Sequence, residues 1–352
     1  MQRRVPNAVG GSWPTLTVMG PITPKDQIGF GRDLYGDGGF ITVSTDPNDI
    51  SKYPDIMQSL RDPYTYPAEL ILYRDGSIAQ YGPIVASQVQ GHTITITCRG
   101  LLYYLRYMFI TSDLSYTSTD QYTIIKNLIN HHQNKTYGHF GIDASGVGTS
   151  GTNLTRNFKA NRGPNVFMQL QEIAERENGF DYYYTFDANR DLVLASRRGS
   201  DKSGSVFLDS RGILSPQIGM SIAADEICTE ALGVGRSFNN NTVFSSQNNA
   251  SKMAAFGRAQ RFESFDGEND SGHLNEYLNA MLESHGKMSF TPGAITMLPV
   301  RGADPIVDFD VGDTVTWYYD AGLGVQSMTL DVKYWSLSVS SDGQEEMNVE
   351  FV

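Results

Sequence analysis

The amino-acid sequence predicts an α+β fold that is mainly β, with two β-barrel-like domains flanking a small α+β domain. The 352 residues include 19 Tyr, 17 Phe and 35 Gly, a composition that favours strands and turns over helices. Segments in which apolar and polar residues alternate dominate both ends of the chain, and segments with helical spacing dominate its middle. Because 352 residues exceed what one core normally holds, we expect two or three domains.

The first predicted domain covers residues 1–110 and is β-rich. A polar N-terminal arm leads into segments of high β-propensity, which predict strands at 16–19, 40–44, 69–74, 78–81, 84–90 and 92–98. Asp75-Gly76 is a strong hairpin signal. Residues 21–39 and 46–67 are rich in Gly and Pro, so we expect mostly loop there, with a short helix near 55–61. A helical turn at 100–106 closes the predicted domain.

The second predicted domain, residues 111–204, has α+β character. Ser118-Thr-Asp-Gln121 matches a helix capping box, which predicts a helix over 121–132. A second helix is expected after Gly163-Pro164, with the proline in its first turn. Strands are expected at 154–159, 180–186 and 192–196.

The third predicted domain, residues 205–352, is β-rich with one inserted helix. That helix ends near Ser284, and its apolar residues share one face: Leu274, Tyr277, Leu278, Met281 and Leu282. The polar run 239–249 is expected to be a loop. Strands are expected at 206–208, 213–219, 226–234, 294–300, 313–319, 327–340 and 345–352.

Charge and hydropathy exclude some classes of protein. The net charge of −12 argues against a protein that grips nucleic acid through phosphate contacts, although an acidic wall would let a polyanion pass without sticking. No window approaches the ~20 apolar residues of a membrane span, and the N-terminus lacks the apolar core of a signal peptide. We expect Cys98 and Cys228 to be half-buried thiols in a reducing cytosol rather than a disulfide.

An acidic cluster near the C-terminus is the first candidate for a cation site. Asp308, Asp310 and Asp313 lie close together, and strand alternation would direct Asp308 and Asp310 to the same side. A cation is therefore conceivable, but we interpret the cluster as a solvated edge and turn that lead into a strand.

A calcium-loop pattern and a glycine pattern are weaker candidates. Asp187-x-Asn189-x-Asp191 has the opening spacing of a calcium loop, but Leu192 stands where the loop needs Gly, so we interpret it as a hairpin turn. Gly233-x-Gly235 is half of a dinucleotide fingerprint, but no helix follows it.

Two helices carry titratable residues. His131 and His132 end a predicted helix, where protonated His favours the negative end of the helix dipole. No Cys or acidic residue lies at metal-ligand spacing from them. Glu172, Glu175 and Arg176 are interpreted as a solvated helix face rather than a glycosidase pair, because such pairs converge from separate elements.

The aromatic run Tyr182, Tyr183 and Tyr184 lies on a predicted strand. Alternation puts Tyr183 on one face and its two neighbours on the other, so an exposed face could bind sugar or a partner protein. Half-burial in the core explains the run equally well. No nucleophile elbow, zinc-protease motif or Walker loop is present, and we assign no catalytic, cofactor-binding or metal-binding residue and expect no cofactor.

The C-terminal region carries a resemblance to a known family. Ser251-x-x-x-Phe-Gly257-Arg258 is followed by the amphipathic helix, the strand start Val311-Gly-Asp313-x-Val315 and a paired terminal strand. This order of elements resembles the tail-tip or baseplate hub (minor tail) proteins of long-tailed bacteriophages. The resemblance covers most of the chain, and it implies that the two β domains share one barrel fold.

The resemblance implies a structural virion protein and not an enzyme. It implies a homotrimeric ring that adapts the six-fold tail tube to the three-fold tip and surrounds the DNA exit channel, through which genomic DNA passes without specific binding. Distal tail or tail-tube proteins would lie above the ring and tip, spike or fibre proteins below it, at the distal end of a tail assembled in the host cytoplasm. Residues 46–67 or 239–250 are expected to contact these neighbours. A glycan- or peptidoglycan-degrading protein and a free glycan-binding protein remain alternatives.

Overall fold

A computed structural model of the chain describes residues 2–5, 15–61, 68–136, 138–176, 178–186, 189–209, 220–223, 227–236, 242–266, 271–285, 289–292, 295–299, 302–320 and 325–351. This part is mainly β with a few helices, which confirms the predicted α+β class. Its strands form open sheets, and within the described ranges none of them closes into a barrel.

The helices of the described residues are short. The α-helices are α1 (Pro47–Ser51), α2 (Pro54–Arg61), α3 (Gln121–Gln133), α4 (Val166–Ala174), α5 (Ala250–Phe256) and α6 (Ser271–Ser284). Leu101–Tyr107 and Ala160–Arg162 form 3₁₀ helices. None of the helices described is long and apolar enough to cross a bilayer.

The strands are numbered in chain order. They are β1 (Gln2–Val5), β2 (Thr15–Val18), β3 (Gln27–Asp33), β4 (Phe40–Thr45), β5 (Ala68–Arg74), β6 (Ser77–Gln90), β7 (Thr93–Arg99), β8 (Leu114–Asp120), β9 (Asn153–Phe158), β10 (Asp181–Tyr184), β11 (Leu192–Ala195), β12 (Phe207–Asp209), β13 (Met220–Ala223), β14 (Glu230–Arg236), β15 (Thr242–Asn248), β16 (Gln260–Asp266), β17 (Ser289–Pro292), β18 (Ile295–Met297), β19 (Thr314–Asp320), β20 (Val325–Ser340) and β21 (Glu345–Phe351).

The chain divides into two compact units. Unit 1 consists of Met1–Gln171, Phe180–Ile218 and Ala294–Val352, and unit 2 consists of Glu172–Gly179 and Gly219–Gly293. Unit 1 therefore draws on both ends of the chain and on its middle. The domain boundaries predicted at 110 and 204 stay a prediction.

Unit 1 is built on one large sheet with the strand order β12-β19-β20-β3-β4-β7-β6-β5-β1-β2, and β21 pairs with both β20 and β18. Its central ladder joins strands from opposite ends of the sequence, because Trp335 on β20 pairs with Arg32 on β3. One face of these strands is buried, with the side chains of Phe30, Ile41 and Ile96 at most 2% exposed. Burial of this apolar face is the main force that holds the strands together.

Strand β3 corrects the prediction that residues 21–39 are loop. A Cβ at Gly31 would lie 2.4 Å from the Trp335 carbonyl oxygen and 2.9 Å from the Phe40 ring. The glycine is therefore needed for close strand packing, whereas the sequence pattern suggested a turn. Similarly, Gly82 does not end a strand: β6 runs through it, and a Cβ there would clash with the backbone of Arg99.

Two helix starts also differ from the prediction. The carboxylate of Asp120 accepts hydrogen bonds from the N–H groups of Tyr122 and Thr123, so it caps α3 in place of the predicted Ser118. The Asn165 side chain accepts from the first N–H groups of α4. In both helices the capping residue immediately precedes the first helical residue. From there its side-chain oxygen can accept hydrogen bonds from the free N–H groups of the first turn.

Unit 2 contains a three-stranded sheet in the order β15-β14-β16, covered on one face by α6. Strand β14 runs antiparallel to β15 and parallel to β16. Leu274, Leu278 and Met281 of α6 pack against Cys228 and Ala231. The helix predicted over this region is confirmed, but β15 lies where a polar loop was predicted at 239–249, of which residues 239–241 lie outside the described residues.

Candidate functional site

Asp310 lies between two arginines and a tryptophan in unit 1. Its Oδ2 accepts hydrogen bonds from Arg32 Nη1 at 2.5 Å and from Arg198 Nη2 at 3.1 Å. Its Oδ1 accepts from Trp335 Nε1 at 3.0 Å and from the Val311 N–H at 2.8 Å. Burial alone would raise the pKa of Asp310, but the two arginine charges and these hydrogen bonds outweigh burial, so its pKa lies below the ordinary value. The carboxylate is therefore an ionised structural contact.

Arg32 connects this carboxylate to two further segments of unit 1. Its side chain is only 5% exposed, and its Nη2 donates to the Ala79 carbonyl oxygen at 2.7 Å. Its guanidinium lies 3.4 Å from the ring centroid of Phe186, a stacked cation–π contact. The side chain of Arg32 on β3 thus contacts β6, the residues that follow β10 and the loop before β19.

Gln80 makes a second buried junction in unit 1. Its Nε2 donates to the carbonyl oxygens of Gly31 at 3.0 Å and Gly38 at 2.9 Å. Its Oε1 accepts from the Tyr81 N–H at 2.9 Å and from the Tyr184 hydroxyl at 2.5 Å. All the hydrogen-bonding capacity of this amide is used within the protein.

Glu69 and Arg190 form a third junction. The Arg190 guanidinium donates to both oxygens of Glu69, and the Tyr104 hydroxyl donates to Glu69 Oε1 at 2.8 Å. Burial acts to lower the pKa of Arg190, but the charge and hydrogen bonds of Glu69 outweigh it and raise that pKa. The side chains of the pair are 5% and 0% exposed, so neither presents a reactive group to solvent.

The acidic cluster at 308–313 is occupied by protein groups. Besides the Asp310 contacts, Asp308 accepts from the Asp304 N–H at 2.9 Å, and Asp313 accepts from the Ser200 N–H at 2.7 Å and lies 2.9 Å from Lys202 Nζ. The predicted turn leads into β19, but the cluster is not a solvated edge, because Asp313 is buried and paired. Across the described ranges, no group of three His, Cys, Asp or Glu residues could hold a metal ion.

The calcium-loop pattern at 187–191 is a hairpin turn where the structure describes it; residues 187–188 lie outside the described residues. Thr185 and Asp191 close the hairpin, since the Thr185 N–H donates to the Asp191 carbonyl at 2.9 Å and the Asp191 N–H donates to Thr185 Oγ1 at 3.0 Å. Arg190 has a φ of +60° in this turn. Its guanidinium group binds the buried carboxylate of Glu69.

The tyrosine run follows the predicted alternation. Tyr182 and Tyr184 are buried, with 2% and 0% of their surface exposed, and the Tyr182 hydroxyl donates to the Tyr35 carbonyl at 2.7 Å. Tyr183 is partly exposed, and the Arg198 guanidinium lies 4.6 Å from its ring centroid. Half-burial in the core therefore explains the run.

The two histidines at the end of α3 do not act as cations at neutral pH. The His132 ring stacks on Phe140, with centroids 5.5 Å apart. Burial, with a smaller effect from Lys135, lowers the pKa of His132 to about 4. Burial also lowers the pKa of His131. The favourable interaction of protonated His with the helix dipole is therefore weakened, because burial disfavours the charged form.

The segment Glu172–Gly179 packs on α6 within unit 2. Glu172 Oε1 accepts from the Tyr277 hydroxyl at 2.6 Å, and Arg176 lies 2.6 Å from Glu276 in an ion pair. Burial, together with the charge of Glu172, raises the pKa of Glu175. The interpretation of these residues as a solvated helix face is wrong for Arg176, which is only 5% exposed, whereas Glu175 is exposed.

Gly233 and the two cysteines have packing roles. A Cβ at Gly233 would lie 2.9 Å from Leu278 and 3.1 Å from Leu274, so this glycine lets α6 approach β14 closely. The glycine pattern thus serves helix packing and not a nucleotide. Cys98 and Cys228 are free thiols, as expected, but they are fully buried and not half-buried.

Unit 1 has one broad sheet face that is rich in hydroxyl groups, which we call the hydroxyl face. It lies on β20, β3, β4, β7 and the end of β6, opposite the buried face, and two rows of paired residues cross it. The hydroxyl-bearing residues of these rows are Ser338, Ser340, Thr42, Ser44, Thr95 and Thr97. Ser44 Oγ and Thr95 Oγ1 are 3.3 Å apart. These two rows offer hydrogen bonds to water and carry no charged residue, whereas Arg99 and Asp33 lie further along the same side of β7 and β3.

The sequence contained only part of these features. The alternation in β7 predicted its Thr-bearing side, but not that β20 would extend the same face. Arg32 was assigned to a loop, and its partner Asp310 is 278 positions away, so no local signal could have paired them. Glu69 and Arg190, 121 positions apart, were missed for the same reason.

Comparison with known proteins identifies the fold. No protein-family model and no curated protein sequence matches the chain. Among solved structures, a tail protein from Neisseria meningitidis MC58 is similar with a TM-score of 0.62 and 14% identity, covering 100% of this chain and 96% of that chain. The 43 kDa tail protein of prophage MuSo2 from Shewanella oneidensis is similar with a TM-score of 0.60 and 14% identity, covering 100% and 98%.

A secretion protein shares the same architecture. The c3393 protein of E. coli, a type VI secretion component described as similar to the T4 bacteriophage tail proteins gp27 and gp5, matches with a TM-score of 0.52 and 9% identity. That match covers 95% of this chain and 74% of the other. The chain therefore has the fold of phage tail proteins along essentially its whole length.

Proposed function

We propose that this chain is a structural protein of a bacteriophage tail tip: a baseplate hub whose copies form a trimeric ring. The observation that carries the proposal is the fold, which is shared with two phage tail proteins over 100% of this chain and at least 96% of theirs. In this proposal the ring adapts the six-fold tail tube to the three-fold tip, with tube proteins above and tip, spike or fibre proteins below. A closed ring requires large, specific subunit surfaces.

We assign the chain no catalytic role. Asp310 and Glu172 are acids that the sequence offered as candidates for a catalytic role. They accept hydrogen bonds from protein side chains at 2.5 Å and 2.6 Å. A catalytic acid or base needs access to a substrate and a pKa near the working pH. The pKa of Asp310 is lowered, and both of its oxygens already accept hydrogen bonds from Arg32, Arg198 and Trp335. The glycan-degrading alternative therefore gains no support from these residues.

We assign the hydroxyl face to the DNA channel. DNA is held by proteins chiefly through Lys and Arg contacts to phosphate, which release counterions. Thr42, Thr95 and Thr97 give that face hydroxyl groups, and Arg99 at the end of β7 is the one cation of that strand on the same side. With the chain's net charge of −12, such a wall allows a polyanion to pass without binding.

Electron microscopy of the native tail that carries this chain tests the proposal. We expect three copies in a ring at the distal end, with the hydroxyl face towards the pore and tube proteins on one side only. A single copy with no symmetry mates around a pore would overturn the proposal. A cell-wall degradation assay with the purified chain should show no activity, and activity lost on Glu172→Gln substitution would favour the enzyme.

A further inference from the structure

The sheet of unit 2 leaves one face uncovered. On the face opposite α6, which we call the open face, Leu232 and Val234 of β14 lie between Phe262 on β16 and Phe244 on β15. The side chains of these two phenylalanines are 61% and 62% exposed. With Leu232 and Val234 between them, the two exposed phenylalanines form a contiguous apolar patch, which is a feature of interaction surfaces.

The segment between these strands is equally exposed. Helix α5 connects β15 to β16, has no buried residue, and ends at Phe256, which is 58% exposed. A seven-residue helix gains little stability by itself, so it normally depends on packing. Within 19 residues, from Phe244 to Phe262, the chain thus presents three exposed phenylalanines and an uncovered helix.

Both edges of the same sheet are open as well. Among the described residues, β15 and β16 each pair with β14 on one side only. The outer edges therefore present rows of unpaired backbone groups, which form a template for another strand. The two edge strands have seven residues each and run antiparallel to one another. One chain therefore carries both halves of an antiparallel strand pair.

The residue pattern of the two edges is also compatible. Pairing all seven residues of β16 with all seven of β15 opposes Gln260 to Asn248 and Phe262 to Ser246, and sets Phe262 diagonal to Phe244. In this register both phenylalanines stay on the open face, because directly opposed residues share a face. The charged residues of β16 would meet neutral residues of β15, so no like charges are opposed.

The open face is a place where charge permits a second copy to bind. Two chains of net charge −12 repel one another over most of their surface. On the open face the central positions are apolar or hydroxyl-bearing, with Ser246 and Ser264 beside Leu232 and Val234. This is a surface on which copies approach without placing acids against acids.

We propose that the open face and its two edges bind a second copy of this chain, with β16 of one copy pairing antiparallel with β15 of the next. The contact is head-to-tail, so repetition generates a ring when the rotation closes. The inference rests on the proposed ring of copies and adds which surface forms it.

Cysteine cross-linking of the full chain tests the register. In the variant Asn248→Cys/Gln260→Cys, the two positions of one copy are separated by β14, about 10 Å apart, which exceeds the ~7 Å limit for a disulfide. Between paired copies the same positions are opposed. We expect oxidation to give covalent dimers and trimers on a non-reducing gel. The matched control Asn248→Cys/Ser264→Cys, displaced by four residues or about 13 Å in this register, should not form them.

Charge substitution tests the face. Phe244→Asp/Phe262→Asp should abolish self-association measured by analytical ultracentrifugation, while Tyr73→Asp, at a site of unit 1 that is 60% exposed, should not change it. Circular dichroism checks that the variants fold. One outcome is that wild-type copies associate while the cysteine variant forms no cross-link and Phe244→Asp/Phe262→Asp still self-associates. That result overturns the inference and leaves the ring proposal standing. If the wild-type chain stays monomeric and oxidation of the cysteine variant gives no multimers, both fail. If the face instead captures glycan or a different tail protein, the inference fails alone.

Discussion

Replacing Asp310 by alanine should destabilise unit 1 more than any surface substitution. The change removes the counter-ion of Arg32, whose side chain is only 5% exposed. Arg32 would keep its hydrogen bond to Ala79 and its stacking on Phe186, but its charge would remain buried and unpaired. The indole N–H of Trp335 would lose its acceptor at the same time.

The size of the effect follows from burial. Removing one partner of a buried ion pair costs about 3–5 kcal/mol. We expect about 3 kcal/mol for Asp310→Ala, at the lower end of that range, because the Asp310 carboxylate is 28% exposed and water can partly replace it. With a denaturant slope of about 2–6 kcal/mol/M in guanidinium chloride, the unfolding midpoint should fall by roughly 0.5–1.5 M.

Tryptophan fluorescence during denaturation measures this effect. Trp317 and Trp335 are both buried in unit 1, so their emission reports the unfolding of that unit. The matched control is Asp49→Ala, which breaks an exposed pair with Lys52 and should cost less than about 1 kcal/mol. In the double variant with Arg32→Ala the loss should be smaller than the sum of the single losses. Equal midpoints for Asp310→Ala and Asp49→Ala would refute the reasoning.

Three further changes test other parts of the structure. Because burial lowers the pKa of His132 to about 4, whereas the unfolded chain binds this proton near 6.5, stability should fall by about 2–3 kcal/mol as pH drops from 6.5 towards 4, and His132→Phe, which keeps an aromatic ring on Phe140, should remove that fall in denaturation curves. Gly233→Val places a Cβ 2.9 Å from Leu278, so α6 must shift, and hydrogen exchange of α6 should show a loss of about 1–3 kcal/mol. Thr97→Lys puts a cation on the hydroxyl face, so DNA ejection from particles carrying it should slow, most strongly at low salt.

Each of these changes has its own control. Gly148→Ala, where a Cβ meets nothing within 4 Å, should leave hydrogen exchange of α6 unchanged. Thr97→Ser keeps the hydroxyl and should leave DNA ejection unchanged. An acid response of His132→Phe equal to that of the wild type would contradict the assigned burial. Ejection by the Thr97→Lys particle at the wild-type rate in low salt would remove the hydroxyl face from the channel.

Local signals predicted the elements that local forces stabilise. The Asp75-Gly76 turn was predicted from its residue types, and φ values of +50° and +80° there match what those residues tolerate. The apolar spacing of α6 predicted its buried side, since Leu274 and Leu278 are fully buried. In both cases the residues that decide the structure lie within a few positions of one another.

The failures have a common physical origin. Gly29 and Gly31 indicated a loop, but both lie in β3, and Gly31 can have no side chain because Phe40 and the β20 backbone lie against it. Arg176 was placed on a solvated face, but Glu276, a hundred residues later, pairs with it. Contacts of this kind cannot be predicted from one sequence, because the residues are far apart along the chain and come together only when it folds.

The pairing of β3 with β20 also constrains when the polypeptide can fold during translation. Arg32 is made 278 positions before Asp310, which corresponds to roughly 15–60 s at the usual ribosomal speed of about 5–20 residues per second. During that interval the early strands wait beside the ribosome without their central neighbour. A nascent chain is therefore exposed to aggregation or chaperone binding until its last strands emerge, and an interrupted product could not enter a particle as a finished subunit.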